Sequence, residues 1–266
     1  MRRFIAFLAL ALGLATVPPA LAQDATPATG ASEATLAEVT LPADVLAFET
    51  ATEVGVVTHT VPAGTSVAWT GNAGRCCPAQ NLTYVLEGTS TFRAEVRTYL
   101  LRAGAGTTPE VVAADTEVDL VPGDAIIYRD EFDWEWTVTG AGSARLLSFW
   151  MVEGSGLPSP DLASWVLEDY SYFSTDALPS EPLSLRLRDV TLDAGATLPA
   201  GSALVQIAIA GTAEGARLST RGDYSVKNVG TEPVRLFVAS LSPADPGAEV
   251  VVAGTAATPT AATPEP

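Results

Sequence analysis

The segment "LVPGDAIIYRDEFDWEWTVTGAGSARLLSF", residues 120–149, contains three strand-like runs separated by short turns. Aliphatic and aromatic residues fill the runs "AIIY", "EWTV" and "ARLLSF", a composition that favours β-strands. The separators "PGD" and "GAG" consist of residues that are common in tight turns. Short runs of the same kind recur from residue 53 to residue 152. The sequence therefore predicts an all-β barrel or sandwich.

Three segments of the chain recur in the same order further along it. The alignment places Gly64 beside Gly195 and Arg145 beside Arg235. The separation between the copies shrinks along the chain, so the second copy is the shorter one. The pattern indicates a duplication. The matched pairs are "THTVPAGTSV" (58–67) with "DVTLDAGATL" (189–198), "YVLEGT" (84–89) with "IAIAGT" (207–212), and "VTGAGSARLLSF" (138–149) with "NVGTEPVRLFVA" (228–239).

The segments "TVPAGT", "YVLEG" and "LVPGDAIIY", followed by "VTGAGSARLLSF", resemble the motifs of the cupin superfamily. The resemblance covers residues 50–152 and, more weakly, 183–242. It implies a bicupin-like chain of two jelly-roll (double-stranded β-helix) barrels, the second of them reduced. The fold class expected is therefore all-β, with one short connecting helix predicted over "PDLASWVLEDY", residues 160–170.

Composition divides the rest of the chain. Segments rich in Ala, Thr and Pro bury little surface and are predicted to be disordered. In chain order the expected parts are a signal peptide (1–22), a disordered linker (23–37), the first cupin-like barrel (38–152), a connector with the short helix (153–182), the reduced second barrel (183–245) and an Ala/Thr/Pro-rich tail (246–266).

The N-terminal segment has the pattern of a secretory signal. Arg2 and Arg3 precede an apolar run, and "ALA" at 20–22 supplies a small-residue cleavage site. The apolar run is short for a membrane span, which needs about 20 residues. We therefore expect cleavage after Ala22 and a secreted or extracytoplasmic protein, with no integral span after cleavage. An uncleaved anchor is the alternative.

Formal net charge is −17 at pH 7. Such a charge repels nucleic acid phosphates and anionic lipids, so the sequence excludes nucleic acid as a partner. A small organic ligand is the partner expected, and a homodimer is a further alternative.

The resemblance also implies a metal site. Cupins usually supply two His and a Glu ahead of the "YVLEG" strand and a third His after the "PGD" strand, and these hold a divalent metal. Counted from the two motif glycines, those positions fall on Arg75, Cys77, Asn81 and Trp134. An arginine repels a cation, and a tryptophan offers only an N–H donor. The metal site is therefore expected to be lost, with no cofactor.

The leading function hypothesis is an exported, non-enzymatic module that binds a small molecule or serves a structural role. Trp134 and Trp136 share one face of a strand and are expected to fill the barrel. They are either core residues or part of an aromatic-lined pocket with Arg75 at its rim. The candidate ligand-binding residues are Arg75, Cys77, Asn81, Trp134 and Trp136.

The alternative is a metal-dependent cupin enzyme of oxygenase or isomerase type. It would hold a divalent transition metal through His59, Cys76, Cys77 and acidic residues of the 129–135 loop. His59, the chain's one histidine, shares a strand face with Val57 and could instead be a buried residue bonded to backbone. The adjacent cysteines also allow a vicinal disulfide or two thiols with no role beyond packing.

Overall fold

The computed structural model describes residues 30–41, 52–70, 79–104, 109–129, 131–153, 166–175, 181–199, 203–210 and 225–244. Every regular element in these ranges is a β-strand. None of the ranges contains a helix long and apolar enough to cross a membrane. The strands are β1 (Ala31–Leu41), β2 (Thr52–Val61), β3 (Ser66–Trp69), β4 (Ala79–Glu87), β5 (Ser90–Ala94), β6 (Thr98–Leu101), β7 (Glu110–Val112), β8 (Val118–Leu120), β9 (Ala125–Arg129), β10 (Trp134–Val138), β11 (Ala144–Glu153), β12 (Val166–Thr175), β13 (Leu183–Leu192), β14 (Thr197–Leu198), β15 (Val205–Ala210), β16 (Val226–Lys227) and β17 (Val234–Pro243).

The first unit, β2 to β12, has the strand order of a jelly roll. One sheet runs β12-β2-β11-β4-β9-β6-β7, and the other runs β3-β10-β5-β8. Eight of these strands form the two four-stranded sheets β2-β11-β4-β9 and β3-β10-β5-β8, all antiparallel. This alternation between two facing sheets is the double-sheet jelly roll found in cupins. The predicted first barrel is therefore confirmed by the strand pairing.

The second unit, β13 to β17, repeats part of that order. Its larger sheet contains β13-β17-β15, and β14 pairs with β16. These five strands occupy the positions of β2, β11, β4, β3 and β10 in the first unit. Within the described residues the second unit thus forms three strands of one sheet and two of the other. The prediction of a reduced second copy is confirmed.

The duplication extends to single hydrogen bonds. The amide of Gly64 donates to the carbonyl of Val138 at 3.2 Å, and the amide of Gly195 donates to the carbonyl of Asn228 at 2.9 Å. The sequence alignment pairs these residues between the copies. Both glycines have positive φ, 71° and 77°, a region that residues with a Cβ rarely adopt. The same turn therefore follows the first strand of each unit.

The strands that precede the two units are exchanged between them. β1 comes before β2 in the chain but pairs with β13, whereas β12 comes before β13 but pairs with β2. Each exchanged strand carries one β-bulge. Because each unit borrows an edge strand from the other half of the chain, the two units are joined through backbone hydrogen bonds as well as side-chain packing.

The prediction of a disordered linker over 23–37 is wrong from Ala31 onward, because those residues belong to β1. The side chains of Ala37, Val39 and Leu41 alternate into the core. Glu38 accepts two hydrogen bonds from the guanidinium of Arg186 on β13, both at 3.1 Å. Composition alone missed the strand because its partner lies some 150 residues away in the chain. Residues 38–41, assigned to the first barrel from the sequence, likewise pair with the second.

The predicted helix over 160–170 is also wrong where the structure describes it. Residues Val166–Thr175 form β12, antiparallel to β2, and residues 160–165 lie outside the described ranges. The segment's Val, Tyr, Phe and Thr content suits a strand, and pairing with an available sheet edge overrides local helix propensity. Residues Val166–Thr175 of the connector therefore form an edge strand of the first barrel's larger sheet.

Four clusters of buried apolar residues hold the described part of the molecule together. One fills the first barrel, one fills the second unit, and the largest lies between the two units. A small fourth cluster consists of Val57, Trp150 and Val152. The core between the units joins Leu82 and Phe149 of the first unit to Ile207 and Phe237 of the second. Both faces of the β2-β11-β4-β9 sheet are consequently buried, one inside the barrel and one against the second unit.

The "PGD" turn is a hydrogen-bonded cap. Asp124 is buried, and its carboxylate accepts hydrogen bonds from Nη1 of Arg102 at 2.9 Å, the amide of Ala103 at 2.9 Å and the amide of Val121 at 3.2 Å. Gly123 has a φ of 98°. This cap holds the start of β9, the strand that carries Tyr128 into the barrel.

Candidate functional site

The inner face of β4 carries the polar part of the barrel interior. Leu82 and Tyr84 pack into the core between the units, and Val85 packs into the core of the first barrel. Because side chains alternate along a strand, Asn81 and Thr83 face the barrel interior with Val85. The ladders to β9 and β11 are regular over residues 81–84, so this alternation is unbroken there.

Three hydroxyl groups lie close together next to Asn81 on the inner face of the sheet. The Oγ1 atom of Thr83 lies 2.9 Å from Oγ of Ser148 and 3.4 Å from the Tyr128 hydroxyl. The three side chains come from β4, β11 and β9, which are neighbours in the sheet. They form a hydrogen-bonding patch inside an otherwise apolar barrel.

An aromatic wall faces this patch. The ring of Trp134 meets the ring of Tyr128 edge-on with centroids 5.5 Å apart, and it stacks on Trp69 at 6.1 Å. Phe92 packs behind them, 5.0 Å from Tyr128 and 5.6 Å from Trp136. Such offset and edge-to-face contacts add to the stabilisation that burial of the rings provides.

Asn81 itself has an unmet hydrogen-bonding group. Its side chain is buried, with 6% of its surface exposed, and Nδ2 finds no hydrogen-bond partner among the described residues. Its neighbours across the ladders are Tyr128 on β9 and Trp150 on β11. A buried donor without an acceptor costs about 1–3 kcal/mol. An acceptor atom within hydrogen-bonding distance of Nδ2 would remove this cost.

Trp150 occupies space that Gly55 leaves empty. A Cβ built on Gly55 would lie 2.1 Å from the Trp150 ring, so the indole rests directly on the β2 backbone. The two residues are paired in the sheet, and Trp150 is also paired with Asn81. The indole therefore leans towards β2, on the opposite side of β11 from Asn81, and packs with Val57 and Val152.

His59 lies deeper in the same barrel and is buried. Burial lowers its pKa to about 4, and the nearby Glu168 carboxylate offsets only part of this effect. Its counterpart in the second unit is Val190, a fully buried core residue. His59 therefore occupies a core position and is a neutral imidazole at neutral pH. Alternation along β2 puts His59 on the same face as Val61, which packs in the core of the first barrel.

Two described carboxylates of the 129–135 loop, Glu131 and Glu135, are engaged with arginines. Glu131 forms an ion pair with Arg129, and burial raises the pKa of Glu131 despite that pairing. Glu135 lies 3.3 Å from Arg93 on the outer face of the barrel. Neither side chain points to a shared cation site with His59.

The structure brings part of the predicted site together. Asn81 and Trp134 both adjoin Tyr128 in the barrel interior, and the expectation that Trp134 and Trp136 fill the barrel is confirmed. Trp136 lies deeper, behind Phe92. The predicted ligand-binding residues Arg75 and Cys77, together with Cys76, lie outside the described residues, so their roles stay predictions.

The described residues do not fit a cupin-type metal site. Of the family's ligand positions, Asn81 offers one neutral oxygen, and the indole of Trp134 offers no lone pair for a cation. In the described part of the chain no three His, Cys, Asp or Glu side chains lie close enough together to hold a metal ion. The arrangement suits recognition through one amide donor, hydroxyl groups and aromatic surface.

Sequence reasoning missed Thr83, Tyr128, Ser148 and Trp150. A signal for them was present: each lies an even number of residues from a barrel-lining position on its own strand. This spacing could not identify the barrel-lining face, because both faces of the sheet are buried and apolar residues occur at both odd and even positions along its strands.

No family model and no curated protein matches the chain. Among solved structures it is similar to YhaK from Escherichia coli, with 12% identity over 71% of this chain and 84% of that one and a TM-score of 0.35. It is also similar to a putative glyoxylate-induced protein from Pseudomonas aeruginosa, with 11% identity over 77% of this chain and 89% of that one and a TM-score of 0.32. A third similar structure is oxalate decarboxylase from Bacillus subtilis, with 10% identity over 80% of this chain and 72% of that one and a TM-score of 0.27.

Proposed function

From this cupin-type fold of two jelly-roll units, we propose that the first barrel binds a small organic molecule, as an exported, non-enzymatic module that uses no metal. The observation that carries the proposal is the buried amide of Asn81, whose Nδ2 has no acceptor among the described residues. The second unit serves as support, because it covers one whole face of the binding sheet.

The surroundings of Asn81 favour a ligand over a structural defect. The amide lies next to Tyr128 on the neighbouring strand and shares its strand face with the hydroxyl group of Thr83. Small-molecule sites usually combine apolar and aromatic walls with a few placed polar groups. A leucine at this position would pack without the cost of an unpaired donor, so the retained amide is best explained by an acceptor supplied from outside the described chain.

The binding proposal is tested by thermal unfolding of the full-length protein with a library of small aromatic fragments. At least one fragment should raise the melting temperature of the native protein and leave that of the Asn81→Leu variant unchanged. Ser90→Ala is the matched control, because Ser90 also buries an unpaired oxygen but at the base of β5, paired with Leu120 and Val138. No stabilising fragment, or equal stabilisation of the Asn81→Leu variant, would contradict the proposal.

The proposed absence of a metal has its own test. The protein is expressed in medium supplemented with manganese, iron, copper and zinc, purified without chelators and subjected to elemental analysis. We expect well under one equivalent of each metal. One equivalent that persists through dialysis would overturn this part of the proposal and favour the enzyme alternative with His59, Cys76 and Cys77 as ligands.

Export is tested by the mass of the mature chain. Protein recovered from outside the cytoplasm should begin at Gln23, one residue after the "ALA" site. A chain that keeps residues 1–22 in the membrane fraction would support the anchor alternative.

A further inference from the structure

The barrel interior also restricts the charge of its ligand. We propose that the ligand is a neutral molecule with a carbonyl-type oxygen on an aromatic or apolar body, and that the site rejects the anion of the same shape. This inference rests on the proposed binding function and specifies its ligand class.

The first step is the polarity of the unmet group. Nδ2 of Asn81 is a donor, so its partner must be an acceptor. An oxygen atom that accepts this hydrogen bond would remove the cost of about 1–3 kcal/mol that the buried amide carries without one. A ligand that offers only donors gains nothing at this position.

The second step is the shape of the wall around the donor. Tyr128 is paired with Asn81 on the neighbouring strand, and Trp134 meets Tyr128 edge-on. Trp69, which is partly exposed, stacks on Trp134 and extends the aromatic surface outward. Flat apolar bodies pack well on such surfaces.

The third step is the absence of a positive charge on the inner face. Along the described strands of the first barrel, the positions that alternate inward contain neither Lys nor Arg. Arg93 and Arg129 both alternate outward, next to Phe92 and Tyr128. A carboxylate ligand would find no cation on these described strands to compensate for its lost hydration, and such uncompensated burial is strongly disfavoured. Arg75, the predicted rim residue, lies outside the described residues.

Three probes of nearly identical shape test the inference: acetophenone, benzoate and α-methylstyrene. All three carry the same phenyl ring. Acetophenone adds a neutral acceptor oxygen, benzoate adds an anionic carboxylate, and α-methylstyrene adds no acceptor. The full-length protein is labelled with ¹⁵N, and the Asn81 side-chain resonance is identified by its loss in Asn81→Leu. Acetophenone should shift this resonance and bind at least tenfold more tightly than benzoate. α-Methylstyrene should bind without shifting it.

The outcomes separate this inference from the proposed function. If benzoate binds as tightly as acetophenone, the ligand class is wrong but the binding site stands. If acetophenone and α-methylstyrene bind equally and the Asn81 resonance does not move, the amide plays no part and the inference fails. If none of the probes perturbs Asn81 or the barrel aromatics, and no library fragment stabilises the protein, the proposed function fails as well.

Asn81→Leu provides a second readout, because it removes the donor and keeps a side chain of similar size. It should abolish any preference for acetophenone over α-methylstyrene. An unchanged preference in a folded Asn81→Leu protein would overturn the inference, and folding is checked by the dispersion of the remaining resonances.

Discussion

Arg145 of the first unit lies over the ring of Phe237 of the second unit, with its guanidinium carbon 5.9 Å from the ring centroid. Arg235, its counterpart in the duplicated sequence, lies over the same ring at 5.0 Å. Each arginine also pairs with a carboxylate, Glu168 or Asp189. The duplicated residues thus meet at the junction of the two units and share one aromatic partner.

We predict that Glu168→Gln destabilises the protein by about 1–3 kcal/mol. The Glu168 side chain is 16% exposed and accepts hydrogen bonds from Nε of Arg145 at 2.7 Å and from the Thr60 hydroxyl. Loss of its charge leaves a largely buried guanidinium without its counter-ion. Urea unfolding measures the change.

Glu135→Gln is the control for this prediction. Its side chain is 41% exposed and pairs with the exposed Arg93. Exposed ion pairs contribute little, so the change should stay below about 1 kcal/mol. Equal losses in the two variants would show that burial of the Glu168 pair has no energetic effect.

The second prediction concerns His59 and pH. Its folded pKa of about 4 lies below the unfolded value of 6.5, so the unfolded chain binds more protons between these values. Stability from this group is therefore complete above about pH 6.5 and is lost as the pH falls towards 4, by about 3 kcal/mol in all. Glu168 is the charged group that opposes the shift.

Urea unfolding of native protein and of His59→Gln at several pH values between 4.5 and 7 measures this loss. The variant should show the smaller slope, since glutamine does not titrate. Carboxylates titrate in both proteins and cancel in the comparison. Parallel slopes would mean that the imidazole is not shielded from solvent.

The third prediction concerns Gly55. An alanine there would place its Cβ 2.1 Å from the Trp150 ring, so Gly55→Ala must displace the indole. Overpacking of this kind costs on the order of 1–3 kcal/mol. Gly142→Ala is the control: no atom lies within 4 Å of its Cβ.

Thermal unfolding and tryptophan fluorescence check this prediction. Gly55→Ala should lower the melting temperature and change the emission spectrum, and Gly142→Ala should do neither. A normal melting temperature for Gly55→Ala would place the Trp150 ring elsewhere.

The fourth prediction concerns the exchanged strand β1. A chain that begins at residue 42 loses the buried side chains of Ala37, Val39 and Leu41. It should be less stable by about 4 kcal/mol or more, because each buried Val or Leu contributes about 1.5–3 kcal/mol. Hydrogen exchange should increase first in β13, the partner of β1.

A chain that begins at Gly30 retains the whole of β1 and is the matched control. It should unfold like the mature protein. If exchange increases in β2 instead of β13 on removal of β1, the strand exchange between the units is contradicted.

The sequence by itself determined the jelly-roll class, the duplication and the reduced second copy. These features depend on local patterns: the "PGD" turn around Asp124, the positive-φ glycines Gly64 and Gly195, and period-2 alternation that places Trp134 and Trp136 on one face. Turn geometry and alternation act over a few residues, so they can be recognised without knowledge of the partners.

Only the tertiary structure decided which partners those strands take and which side chains the barrel encloses. Residues 31–37 of β1 were assigned to a linker and residues 166–170 of β12 to a helix, because the stability of these strands comes from β13 and β2, far away in the chain. The unmet amide of Asn81 and the hydroxyl group of Thr83 were likewise hidden, since both faces of their sheet are buried. Long-range pairing and burial on two sides leave no local pattern, and they enclose Asn81 inside the first barrel.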